Sequence, residues 1–178
     1  LERRGAISAS IEVLEWANQA YPDNETIETR FVESCLLVKT CAPKLDDFSV
    51  KLLARSTEEG DPDRRIRARR LGYMVQAQLL NRDGQDRQAR VLYEEVANLL
   101  PAEGFLPLSR AARILIRTGQ LQTAKARIQR LEDMAITDKD QVELLRIKSA
   151  VTKAEGDLQG AVNALQQAIR IQRNTPDL

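Results

Sequence analysis

A glycine followed five residues later by an alanine occurs three times in this chain: Gly84 with Ala89, Gly119 with Ala124, and Gly156 with Ala161. The glycines step by 35 and then by 37 residues. Apolar residues at helical spacing flank each pair, and few β-branched runs or aromatics compete for strand. A period of this length constrains the chain to stacked helical hairpins. Each glycine is expected to end a first helix in the left-handed conformation, which costs glycine least. Each alanine is expected where two helices cross closely. One hairpin cannot bury its apolar face alone, so each must lean on the next.

The best-formed member spans Tyr73 to Pro101. Tyr73, Ala77, Gly84, Ala89, Tyr93 and Pro101 stand in the order large, small, turn, small, aromatic, proline. Leu108, Ala112, Leu115, Gly119, Ala124, Ile128 and Leu131 fill the same pattern, as do Leu145, Ser149, Gly156, Ala161, Leu165 and Ala168. This order resembles the tetratricopeptide repeat (TPR) family. The resemblance implies an all-α fold, a right-handed α-α superhelix built as a TPR-like solenoid of antiparallel helix pairs.

The pattern extends over 1–178 as a single array: a half repeat at 1–22, a degenerate repeat at 23–62, and repeats at 63–101, 102–137 and 138–178. Ile7, Ile11, Leu14, Ala17 and Ala20 predict a helix over 6–20, with Gly5 as the turn before it. It reads as a second helix lacking its first, and with Leu1 in place of Met the chain reads as a segment of a larger protein. Asn24 is expected to cap the next helix, with Glu25 and Glu28 at its positive end. Pro43 is expected to end that helix, and Asp46 and Asp47 to open a shorter one packing Phe48, Leu52 and Leu53. The break over Glu58–Asp63 precedes a helix capped by Asp61 or Asp63, with Pro62 in its first turn.

The chain contains no histidine. That removes Ser-His-Asp and Cys-His nucleophiles, His-ligated zinc and the commonest general base. No phosphate loop or metal cluster is evident, so neither enzymatic activity nor a cofactor or metal is expected. Cys35 and Cys41 read as two semi-buried small hydrophobes, since a disulfide requires the helix to break between them. Trp16 is expected to pack buried or half-buried on the second-helix surface. No apolar stretch approaches the roughly 20 residues of a membrane span, and neither a periplasmic nor a cytoplasmic setting is marked. The net charge of +1 gives no global attraction to nucleic acid or membrane.

In the TPR family the first helices line a concave groove that holds an extended peptide or another helix. The resemblance places there Met74, Gln78, Asn81 and Arg82 from one repeat, Ser109, Arg110, Arg113 and Arg117 from the next, and Arg146 and Lys153 from the last. This surface is polar and basic, and its guanidiniums suit carboxylates. An acidic or extended segment of another protein, or an anionic polymer, is the expected occupant. The lysine and asparagine set of the family's carboxylate clamp is not reproduced. A second basic feature, the five arginines of Arg64–Arg70, reads as a solvated helix face or intramolecular ion pairs, next as a surface for an acidic partner. Without aromatics or further basic clusters, nucleic acid ranks last. The exposed end of the array is open to self-association. The expected role is a protein-protein interaction scaffold, such as part of a bacterial assembly or secretion machine for exopolysaccharide export. The alternative is a ligand-sensing or regulatory helical-repeat domain of a signalling or transcription protein.

Overall fold

The computed structural model describes the backbone of residues 2–175, with side chains from Ala6 onward except at position 39. Among the described residues there are nine α-helices and no strand: α1 (Glu2–Ala20), α2 (Glu25–Leu36), α3 (Ala42–Glu58), α4 (Pro62–Arg82), α5 (Asp86–Leu99), α6 (Phe105–Arg117), α7 (Leu121–Met134), α8 (Asp138–Ala154) and α9 (Leu158–Asn174). The all-α expectation holds. The chain divides into two compact units, Leu1–Leu79 and Leu80–Leu178, with the boundary inside α4.

In the first unit, Phe31, Cys35, Leu45, Leu52 and Val75 form the centre of a core to which Ile11 on α1 contributes. Phe31 and Phe48 meet edge to face at 5.2 Å, within the range such rings prefer. Asn24 caps α2 as expected, its Oδ1 accepting from the Ile27 amide at 3.2 Å. Asp61 likewise accepts from the Asp63 amide at 2.9 Å, and Pro62 is the first residue of α4. The first unit also holds a charged pair. Glu28 is 4% exposed and takes both arms of the Arg55 guanidinium, at 2.7 and 3.2 Å.

Several local expectations are corrected here. Gly5 lies inside α1 and marks no turn, because helix begins at Glu2. Trp16 is 66% exposed rather than packed. Pro43 does not end α2, which stops at Leu36; it sits in the first turn of α3, where its missing N–H is unneeded. Helix α3 accordingly starts at Ala42, before Asp46 and Asp47, and runs 17 residues. That early stop also reverses the reading of the cysteines. Between α2 and α3 the chain makes a 3-10 turn at Lys39–Cys41, which brings Cys35 and Cys41 together as a buried disulfide with Cα atoms 5.2 Å apart.

In the second unit, Gly84, Gly119 and Gly156 have φ of 77°, 75° and 92°. After each, the next amide reaches back five residues: Gln85 to the Leu80 carbonyl at 2.8 Å, Gln120 to Leu115 at 2.8 Å, and Asp157 to Thr152 at 3.1 Å. Each glycine amide also bonds the carbonyl three residues back, which completes the same helix-ending motif three times. The small residues stand at the crossings: Ala89, Ala112 and Ala124 are fully buried. Ser149 donates its hydroxyl to the Ala161 carbonyl at 2.9 Å, a bond that requires α8 and α9 to approach closely. Leu108, Ala112, Leu131, Leu144 and Ile147 belong to the core joining α6, α7 and α8. Leu165, expected in the repeat core, is instead 43% exposed.

The connection into α6 depends on Gly104. A methyl group there would stand 2.8 Å from the Ala97 carbonyl oxygen and 3.0 Å from Met134 Cε. The backbone oxygen cannot yield as a flexible side chain could. Gly104→Ala is therefore expected to lower stability by about 1–3 kcal/mol through overpacking, measured by urea denaturation. A loss too small to detect would show that this junction is looser than described.

Candidate protein-interaction surface

The first helices of the second unit carry most of the basic residues singled out above. On α6, Leu108, Ala111, Ala112 and Leu115 face the core, which leaves Arg110, Arg113 and Arg117 on the other side. Helix α6 packs against α8, so its basic side continues onto the face of α8 that carries Glu143.

These arginines already hold partners. Arg113 Nε donates to Glu143 Oε1 at 2.8 Å, from α6 to α8. Arg117 donates to Asp86 Oδ2 from Nε at 3.1 Å and to Asn81 Oδ1 from Nη2 at 2.8 Å. The half-buried Arg110 lies with its guanidinium carbon 5.8 Å from the centre of the Tyr93 ring, in range for a cation–π contact. Tyr93 is itself fully buried, and its hydroxyl has no hydrogen-bond partner among the described residues. Burial pushes its phenol above the ordinary value; the Arg110 guanidinium, which opposes this by polar contact and charge without meeting hydrogen-bond geometry, and the charge of Arg117 offset it only in part.

Ser109 must be withdrawn from this surface. It is fully buried, and its hydroxyl is turned inward to the Leu106 carbonyl at 2.8 Å. Arg82 is exposed, its Nε 3.6 Å from the adjacent Asp83. Arg146 and Lys153 project from α8, exposed and without an ion pair among the described residues. Met74 and Gln78 are half-buried on the part of α4 that belongs to the first unit.

The chain matches no known family model, no characterised protein and no solved structure. Its surface is thus characterised by its own residues. A cavity of about 400 Å³ opens beside Arg146, lined by Phe105, Leu106, Lys139, Val142 and Gln172 among others. The volume falls within the usual range of ligand-sized clefts. Its apolar wall is bordered by two cations, Arg146 and Lys139, and by two carboxylates, Asp140 and Glu143.

Glu143 and Asp86 are the residues sequence reasoning missed. They stand 30 and 31 positions from the arginines they hold, a separation that no local helix spacing signals. The Arg64–Arg70 run is partly engaged as well: Arg64 lies 3.7 Å from Asp61, and Arg67 3.6 Å from Glu25. Among the described residues no group of acids and cysteines is placed to hold a metal ion. Among the described residues no helix is long and apolar enough to cross a membrane.

Proposed function

We propose that this chain is an interaction scaffold of the TPR kind, its first helices presenting a polar, basic surface to an acidic or extended segment of another protein. The observation that carries this reading is the unequal use of cations on α6 and α8. Arg113 and Arg117 are held by carboxylates of the chain itself, while Arg146 and Lys153 are exposed without an ion pair among the described residues. Arg146 stands at the edge of a cavity walled by Phe105, Leu106 and Val142 and bordered by Asp140 and Glu143. A surface that holds carboxylates in this way suits more of them from outside, with an apolar side chain seated against Leu106 and Val142. The three glycine-closed turns at a near-constant step support the solenoid that such a surface requires. The Cys35–Cys41 disulfide favours work in an oxidising compartment, which fits a bacterial assembly or export machine better than a reducing cytosol.

The test is binding of a fluorescent glutamate-rich peptide to the wild-type chain and to Arg146→Glu/Lys153→Glu. Both positions are exposed, so folding should survive, and affinity is expected to fall at least about tenfold, the equivalent of 1.4 kcal/mol. Binding should also weaken as salt rises. Equal affinity for both proteins would remove these residues from the surface. One observation favours the alternative, a ligand-sensing regulatory domain: the first unit has a cavity of about 300 Å³ walled by Phe31, Phe48 and Leu52 and rimmed by Lys44, Lys51 and Arg55 with their carboxylate partners Glu15, Asp47, Asp23 and Glu28. A small molecule that raised the melting temperature from that cavity would promote the second reading.

A further inference from the structure

The outward face of α9 carries a different surface. Leu158, Val162, Leu165 and Ile169 are 65%, 45%, 43% and 49% exposed. Their spacing of four, three and four residues sets them in one stripe along the helix. Ala161 and Ala168, on its other side, are buried. The positions 37 residues earlier, on α7, are Leu121, Lys125, Ile128 and Glu132. There Ile128 is buried, while Lys125 reaches Glu155 and Glu132 reaches Lys148, both at 2.5 Å, which ties α7 to the hairpin that follows it. At the two places where α7 has those charged hooks, α9 has valine and isoleucine. The stripe thus differs from the matching face of α7, whose two charged residues tie it to the following hairpin.

We propose that it binds a second copy of this chain, α9 against α9, antiparallel about a two-fold axis. The stripe is self-complementary in that arrangement. Leu158 meets Ile169 of the second copy, Val162 meets Leu165, and each contact occurs twice, as a two-fold interface requires. The same register sets Asp157 beside Arg170 of the second copy. Helix α9 itself has no acidic residue, and its two cations, Arg170 and Arg173, lie near its C-terminal end. A parallel pair would crowd those cations together, whereas the antiparallel pair sets one of them against a carboxylate. Gln159 and Gln166 beside the stripe bring no like-charge repulsion. Such a contact is small against the roughly 1,600 Å² of a standard interface, so the dimer forms in the micromolar range. This surface is separate from the basic face of α6 and α8, and the proposal does not rest on the function proposed above.

Sedimentation equilibrium of the 178-residue chain over a concentration series should show a monomer–dimer equilibrium. The double variant V162K/I169E, which restores the residue types that α7 has in those places, should raise the dissociation constant at least about a hundredfold with helicity unchanged. Arg170→Glu, at an exposed position, sets like charges against Asp157 and should weaken the dimer about tenfold; it gives a second readout should the double variant unfold. For the register, L158C mixed with I169C should cross-link on mild oxidation. L158C alone should not, because the two copies of that residue would lie about 16 Å apart along the helix pair. A chain that stays monomeric up to high micromolar concentration would overturn the proposal. So would a dimer indifferent to both sets of substitutions, or efficient cross-linking of L158C with itself.

Discussion

Glu28→Ala should destabilise the first unit by about 3 kcal/mol, the lower part of the range for breaking a buried ion pair. The Glu28 side chain is only 6% exposed, and its two oxygens face the two arms of Arg55. Burial of the guanidinium works against its charge. The hydrogen bonds and charge of Glu28, with Asp23 and Glu59 adding, outweigh that and hold the Arg55 pKa above its ordinary value. Removing Glu28 leaves Arg55, 30% exposed, with Asp23 as its remaining bonded carboxylate. That residual pairing keeps the cost from the top of the range. Glu28→Gln keeps the shape and one acceptor, so it should lie between wild type and alanine. Arg55→Lys should also cost stability, because an ammonium cannot serve both oxygens at once. Urea denaturation of the three variants checks the series; a loss under about 1 kcal/mol for alanine would mean that the pair behaves as a surface bridge.

Tyr93 gives the second large effect and an unusual contrast. Tyr93→Ala removes a fully buried ring from α5 and should cost about 3–5 kcal/mol. Tyr93→Phe removes only a hydroxyl that is buried without a hydrogen bond, and should therefore raise stability by about 1 kcal/mol. The contact with Arg110 uses the face of the ring and survives in phenylalanine. Melting temperatures of the two variants should move in opposite directions. A loss on Tyr93→Phe would show that the hydroxyl has a partner, such as an ordered water.

How far these features were legible in the sequence follows from their range. The glycine turns were readable because a left-handed residue at a helix end has a strong local preference, and the repeat step aligned three of them. The caps at Asn24 and Asp61 were readable for the same reason. Pro43 was misplaced because proline both ends helices and starts them, and the deciding fact was that α2 stops seven residues earlier. That stop also decides the disulfide, so one boundary produced two corrections. Ser109 shows a different failure. Its place in the repeat pointed to the groove, but the inner turn of α6 buries it and turns its hydroxyl to the backbone. The partners of Arg113 and Arg117 were out of reach altogether, because they depend on how separate helices pack.

The three glycine-closed turns also bear on the order in which the second unit opens. Each is made of contacts between residues close in the chain, and such local contacts form fast and come apart piecemeal. Helix α9 packs chiefly on α8, and its other face is in water. In the monomer its amides should be among the first of the second unit to exchange with deuterium, ahead of those of α6, which is packed by α5, α7 and α8. Covering the α9 stripe would slow that exchange, so the helix that opens earliest in dilute solution would be the one most protected as concentration rises.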